Sequence, residues 1–133
     1  MVDFKDDQKC FVCGKGNPAG LKLEFRGKVS SPEVEAEVVF PTHLQGWQDT
    51  VHGGLLATVL DEIMIKAATA IGIRCVTAEI TVKYKKPTAT GVAYLLTGQV
   101  LATRGRIITA ESRICDASGQ IHAQATGKLF KIT

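Results

Sequence analysis

The stretch from Val51 to about Gly72 places the strongest constraint on how this chain folds. At the 100° step of an α-helix, its larger apolar residues gather in one broad stripe: Leu56, Val59, Leu60, Ile63, Ala67 and Ile71. Glu62 and two threonines fall on the opposite side. The pattern therefore predicts a helix of about 20 residues, roughly 30 Å long, with one face buried.

Two features of this predicted helix point to chemistry. Asp61 lies on the flank of the stripe among alanine and isoleucine side chains, which do not solvate a carboxylate. At the start, where Asp49 and Thr50 are the expected N-caps, Gly53 and Gly54 weaken the first turn but leave its N–H groups uncovered. Such a helix start can receive an anion or a developing oxyanion.

Alternation of apolar and polar residues predicts two strands before the helix and four after it: 21–29, 33–40, 74–86, 92–102, 107–115 and 120–132. The first two should form a hairpin. In the third, Val76, Ala78 and Ile80 share one face, and Thr77 lies on the other. This order predicts the α+β class, with one curved antiparallel sheet holding the helix. Long strands leave open edges, which two copies of the chain could join.

Composition narrows the classes of function. The 133 residues suit one domain, 1–133, in which residues 1–20 form an N-terminal arm. A net charge of +3, with one Trp, two Tyr and five Phe, argues against nucleic-acid binding. No apolar run reaches the length of a membrane span, and residues 1–10 are charged, unlike a signal peptide. We therefore expect a cytoplasmic protein that binds neither nucleic acid nor membrane.

The four cysteines allow more than one interpretation. Cys10 and Cys13 form a C-x-x-C before a Gly-rich loop, whereas Cys75 and Cys115 are isolated. A zinc site would need two further ligands at a recognised spacing, and a redox pair would belong in a strand-to-helix turn. The sequence favours ordinary packing cysteines over both, so no metal and no cofactor is expected.

The order His52, Gly53, Gly54 and then Asp61 resembles the signature of hotdog-fold acyl-CoA thioesterases of the phenylacetate-degradation type. The resemblance extends along most of the chain, to Cys10, Cys13, Gly14, Asn17, Pro18, Gly20, Leu21, Gln45, Gly46, Leu60, Glu62, Thr77 and Pro87. Trp47-Gln48-Asp49 stands where many members have an aromatic residue followed by Pro-Gly.

The resemblance implies a hotdog fold, in which a curved antiparallel sheet of five or six strands wraps a long central helix. It also implies a homodimer with active sites at the subunit interface, often paired again into a tetramer. The implied substrates are acyl-CoA thioesters, which water hydrolyses without a metal or cofactor.

Thioester hydrolysis needs a polarised carbonyl and either an activated water or a carboxylate nucleophile. Gly53 and Gly54 are the candidate oxyanion hole, although paired glycines can also simply allow close backbone packing. Asp61 is the candidate base or nucleophile, and the alternative is a solvated or ion-paired aspartate. Along one helix, eight residues rise about 12 Å. Gly53 and Asp61 should therefore serve one carbonyl only if they come from different subunits.

The remaining candidates have weaker support. A helix start lowers histidine basicity, so His52 is assigned to positioning the substrate. Gln45 could hydrogen-bond the thioester or the water, and Thr77 matches a position that often lines the pocket. Glu62 is the rival of Asp61 and a candidate substrate contact. Lys83, with other basic residues at strand ends, could meet the CoA phosphates, although such residues are commonly just solvated.

Two other functions remain open. An acyl-thioester hydratase or dehydratase can use the same fold, but such enzymes pair a catalytic histidine with an acid on the helix, and His52 precedes the helix. A non-enzymatic acyl-CoA-binding sensor is the other alternative. It is disfavoured because no DNA-binding segment is recognised in the sequence.

Overall fold

The computed structural model describes residues 4–28 and 30–132. Within these ranges the elements are β1 (Arg26–Gly27), β2 (Val34–Val39), a 3-10 helix (Thr42–Leu44), α1 (Gly53–Ala70), β3 (Cys75–Tyr84), β4 (Ala93–Arg104), β5 (Ile107–Cys115) and β6 (Ile121–Lys131). None of the helices in the described part of the chain has the length and apolarity needed to cross a bilayer.

The six strands form one antiparallel sheet in the order β1-β2-β4-β5-β6-β3. Helix α1 packs against five of them, with most of its contacts on β4 and β5. The sheet therefore curves around the helix, which confirms the predicted α+β class and the hotdog arrangement. The expected hairpin is also confirmed, because β1 pairs with β2. Strand β3 pairs only with β6 and is left at one edge.

The helix lies close to the sheet because two strand positions carry no side chain. A Cβ at Gly98 would come within 2.9 Å of Ile63, and one at Gly127 within 2.8 Å of Met64. Both helix residues are fully buried. The buried Ser112 hydroxyl donates to the Leu60 carbonyl at 2.9 Å, which adds a polar tie between β5 and α1. The position of the helix along the sheet is thus fixed by shape and by one buried hydrogen bond.

The prediction that Asp49 or Thr50 caps the start of α1 is wrong. Thr50 forms an isolated bridge with Ala89 and Val51 one with Gln45, so the chain is still extended at these two residues, before the helix begins. His52 is the N-cap, and its Nδ1 accepts from the Gly54 N–H at 3.1 Å. At the other end the last helical residue is Ala70, two residues before Gly72.

The predicted strand 21–29 is also largely wrong, and Val29 lies outside the described residues. Only Arg26–Gly27 joins the sheet. Lys22 has a positive φ of 53°, which interrupts an extended strand. Instead, the N–H groups of Leu21 and Leu23 donate to carbonyls of the arm, at Phe11 and Val12. The alternation correctly predicted that Leu23 is buried, but it wrongly predicted that the segment pairs along its length with a neighbouring strand.

A β-bulge changes which residues of β3 face the helix. Thr77 pairs with Leu129 and Glu79 with Lys128, so Ala78 is an extra residue without a partner of its own. The bulge puts Thr77 on the helix side together with Ile80, where unbroken alternation had placed them on opposite faces. The prediction that Thr77 and Ile80 lie on opposite faces is therefore wrong.

Candidate active site

Asp61 lies half-buried between α1 and β3, beside the bulge. The Thr77 hydroxyl donates a short hydrogen bond to Asp61 Oδ1. Cys75 lies buried on β3, the strand that carries Thr77. Burial raises the pKa of the Cys75 thiol, and the charge of Asp61 raises it further. The structure thus brings together two predicted site residues, Asp61 and Thr77, and holds the carboxylate in one orientation next to an uncharged neighbour.

The start of α1 provides a backbone donor. Gly53 is the first helical residue, and its N–H has no hydrogen-bond partner among the described residues. The Gly54 N–H instead donates to His52 Nδ1. Because that nitrogen accepts, a neutral His52 ring carries its proton on Nε2. The exposed His52 therefore offers an Nε2–H donor on the residue next to Gly53.

Tyr84 belongs to this end of the helix, although the sequence analysis did not single it out. Its hydroxyl donates to the Gly53 carbonyl at 2.8 Å, and its ring lies 3.4 Å from where a Gly53 Cβ would stand. Tyr84 follows Ile80 by four residues in β3, so strand alternation places both on one face. In the structure that face points toward the helix. The alternation thus grouped Tyr84 with Ile80, but it could not show that their shared face meets the helix.

Gln45 is held in the loop that precedes the helix. Its Oε1 accepts from the Asp49 N–H at 3.0 Å, and its backbone bridges Val51. This contact uses the carbonyl end of the exposed Gln45 side chain and leaves the amide group as the end available to a ligand.

Glu62 does not join Asp61. It lies half-buried beneath the N-terminal arm, where the thiols of Cys10 and Cys13 approach its Oε1 at 3.8 and 3.4 Å. Lys66 Nζ is 3.9 Å from the same oxygen. Burial raises the pKa of the Cys13 thiol to about 12, supported by the hydrogen bond with Cys10 and the charge of Glu62. Glu62 is thus neither a solvated glutamate nor a neighbour of the Asp61 carboxylate.

Lys83 is also separate from Asp61. It lines a groove on the face of the sheet that points away from α1, together with Glu33, Gln99 and Gln124. Lys85 and Lys86 follow directly after Tyr84 and are exposed, and the Lys86 ammonium donates to the Gln120 side chain.

The Gly53 donor and the Asp61 carboxylate occupy two ends of one stretch of α1. Eight residues of helix separate them, which corresponds to about 12 Å of rise. A small carbonyl cannot lie within about 3 Å of both, as polarisation and attack require. The described chain therefore presents these two groups as separate candidate half-sites.

The span that contains both half-sites, residues 48–123, matches the family model described as "Thioesterase superfamily". The chain belongs to the thioesterase superfamily. The match runs from the loop before His52 through β3 and into β6, so it includes Gly53, Asp61 and Thr77.

Similar proteins agree with this membership. The chain is 32% identical over 116 residues to acyl-coenzyme A thioesterase THEM4 of Rattus norvegicus, which covers 85% of this chain and 50% of that protein. The chain thus spans about half the length of this curated relative. A crystal structure of a thioesterase superfamily protein, RHA08564, is 30% identical, with a TM-score of 0.86, and covers 92% of this chain and 63% of that one. The E. coli PaaI protein from the phenylacetic acid degradation operon has the same fold, with a TM-score of 0.76 at 18% identity over 85% of this chain and 81% of that one.

Proposed function

We propose that this thioesterase-superfamily chain is an acyl-CoA thioesterase, which hydrolyses a thioester to a free acid and CoA. The observation that carries the proposal is the pair of half-sites on α1. One is a carboxylate held by Thr77 in a half-buried position, and the other is an unpartnered Gly53 N–H beside a capping histidine. Thioester hydrolysis needs one group of each kind.

In the proposed reaction, the Gly53 N–H donates to the thioester oxygen, with the Nε2–H of His52 as a second donor. Asp61 either removes a proton from the attacking water or attacks the carbonyl carbon itself. The C–S bond then breaks, and the CoA sulfur leaves as a thiolate that takes up a proton. In the nucleophilic variant, water afterwards hydrolyses the acyl-aspartate. Gly54 was also assigned to the oxyanion hole. Its N–H donates to His52 Nδ1, so it could serve the oxyanion only after that hydrogen bond breaks.

The rise of about 12 Å between Gly53 and Asp61 along α1 supports a homodimer in which two subunits share each active site. Two α1 helices that pack antiparallel across a two-fold axis would set each Gly53 beside the partner's carboxylate. The open edge of β3 offers a backbone ladder through which two sheets could join. Further pairing of dimers into tetramers is part of this proposal, and so is a cytoplasmic location.

The substrate class is supported by charge and by similar proteins. CoA carries phosphates, and the exposed Lys85 and Lys86 follow the residue that contacts Gly53. The rat relative is named an acyl-coenzyme A thioesterase. A Streptococcus pneumoniae protein of the same fold, 19% identical with a TM-score of 0.76, was solved with coenzyme A.

The direct test measures release of free CoA thiol from purified protein across acyl-CoA esters of different length, with acid formation followed in parallel. We expect equal amounts of thiol and acid. Addition or loss of water without thiol release would instead identify a hydratase or dehydratase. Saturable binding without any turnover would identify a sensor, and either outcome would refute the proposal.

A further inference from the structure

The arm cluster, made of Cys10, Cys13 and Glu62, plays no part in the proposed reaction. One ligand-type atom from each residue lies within 4.8 Å of the other two, and all three side chains are half-buried. Both cysteines are free thiols. The cluster joins a C-x-x-C turn to the middle of α1, across 49 to 52 residues of chain.

The two sulfur–oxygen distances match two edges of a tetrahedral zinc site. Zinc bonds to sulfur at about 2.3 Å and to carboxylate oxygen at about 2.0–2.2 Å. A tetrahedral angle between such bonds separates sulfur from oxygen by about 3.6 Å. The two sulfur–oxygen distances in the cluster, 3.8 and 3.4 Å, lie on either side of that value.

The turn that carries the cysteines is held in shape by the backbone. The Gly14 N–H donates to the Cys10 carbonyl at 2.9 Å, and a Cβ at Gly14 would come within 2.3 Å of the Cys10 nitrogen. Only glycine fits there. The Gly16 N–H closes a wider loop on Gln8 at 2.7 Å. The two sulfurs are therefore presented on one side of a tight turn that needs little rearrangement to bind an ion.

Charge favours a divalent cation in this place. On binding zinc, the Cys10 and Cys13 thiols would each release a proton to solvent, and the two thiolates and the Glu62 carboxylate would then carry three negative charges. A zinc ion contributes two positive charges and the Lys66 ammonium, 3.9 Å from Glu62 Oε1, contributes one. The half-buried group would thus be neutral overall, which removes the main cost of burying thiolates.

We propose that Cys10, Cys13 and Glu62 bind one zinc ion per chain, with the fourth position open to water. The ion pins the N-terminal arm to the side of α1 and takes no part in thioester chemistry. This departs from the expectation of packing cysteines, because the third ligand comes from a distant part of the sequence. The proposal is independent of the proposed thioesterase activity.

The test loads the full-length, reduced and metal-free protein with zinc and measures binding by competition with a chromogenic chelator. We expect one zinc per chain, and Co²⁺ in its place should show a thiolate-to-metal charge-transfer band. Cys13→Ser should weaken zinc binding more than about 100-fold, because even the loss of an outer-shell partner costs about 10–100-fold. Glu62→Gln should weaken binding less but keep the charge-transfer band, since both thiolates remain.

Two variants serve as matched controls: Cys115→Ser, at a cysteine on the end of β5, and Glu24→Gln, at an exposed carboxylate. Both should bind zinc as the wild type does. Zinc should also raise the melting temperature of the wild type but not of Cys13→Ser. The proposal is overturned if the reduced wild type binds no zinc, if the cysteines form a disulfide in place of binding, or if Cys115→Ser costs as much as Cys13→Ser.

Discussion

Asp61 and Glu62 are adjacent in the sequence but have different surroundings. Asp61 faces β3, where the Thr77 hydroxyl donates to it, whereas Glu62 faces the arm and the two thiols. A helix turns by 100° per residue, so neighbouring side chains can serve separate sites. The sequence identified both carboxylates and favoured Asp61, but it could not show that Glu62 lies beneath the arm.

Replacing Asp61 with asparagine should separate the two carboxylates by function. Asp61→Asn keeps the size of the side chain but removes its basicity, so kcat for acyl-CoA hydrolysis should fall at least about 100-fold with the fold retained. Glu62→Gln, measured in the same assay, should keep most of the activity. The assignment is contradicted if Glu62→Gln abolishes turnover while Asp61→Asn does not.

The hydrogen bond from Thr77 should matter for rate more than for folding. Thr77→Val keeps the branched shape but removes the hydroxyl that orients Asp61. A hydrogen bond to a charged group contributes about 1.5–3 kcal/mol, so we expect kcat to fall about tenfold or more. Thr81→Val, at an exposed position on the other face of β3, is the matched control and should be near wild type. Equal losses in both variants would show a general effect on the strand.

At the scale of elements, hydrophobic periodicity predicted most of the fold. The range of β5 and the order of elements were confirmed, and α1 was placed to within two residues at each end, because these segments bury one regular face. The bulge at Ala78 was not predictable in this way, since it depends on the register with β6. The arm itself was predicted, but its hydrogen bonds to residues 21–23 were not, because these residues lie in an irregular segment interrupted at Lys22.

Asp116, in the turn between β5 and β6, should make the free energy of unfolding depend on pH. Asp116 accepts hydrogen bonds from the Ser118 hydroxyl and the His122 ring, and from the backbone N–H of Gln120. These bonds hold the pKa of its carboxyl well below the usual range. His122 also contacts the Pro87 carbonyl through Nδ1 at 2.9 Å, so the turn is tied to the end of β3.

A carboxyl with a lowered pKa stabilises the fold when it is ionised in both states, and this contribution is lost as the pH falls. The wild type should therefore exceed Asp116→Asn in free energy of unfolding above about pH 5, and the difference should shrink below about pH 4. Urea unfolding across this range measures it, with Glu37→Gln on β2 as an exposed control. A difference that stays constant with pH would contradict the role given to the Asp116 charge.

At the scale of the whole molecule, the described chain has a donor and a carboxylate that cannot act on one carbonyl, and β3 leaves an open sheet edge. A second copy would resolve both features at once. Sequence reasoning reached this point from helix geometry, open strand edges and the family resemblance, but it could not show that His52 takes the Gly54 N–H and leaves Gly53 without a partner among the described residues. The shared site is the central claim of the account.

Subunit mixing tests that claim most directly. Gly53→Pro removes the donor at a first helical position that tolerates proline, after a His52 with an extended ψ of 130°. Asp61→Asn removes the carboxylate, and Gly53→Ala, which keeps the N–H, controls for added bulk beside Tyr84. Gly53→Pro and Asp61→Asn should each be inactive alone, yet mixed dimers would contain one intact site and one doubly damaged site. We predict recovery of up to half the wild-type activity per mixed dimer; no recovery, with both variants folded and exchange of subunits verified, would contradict the shared site.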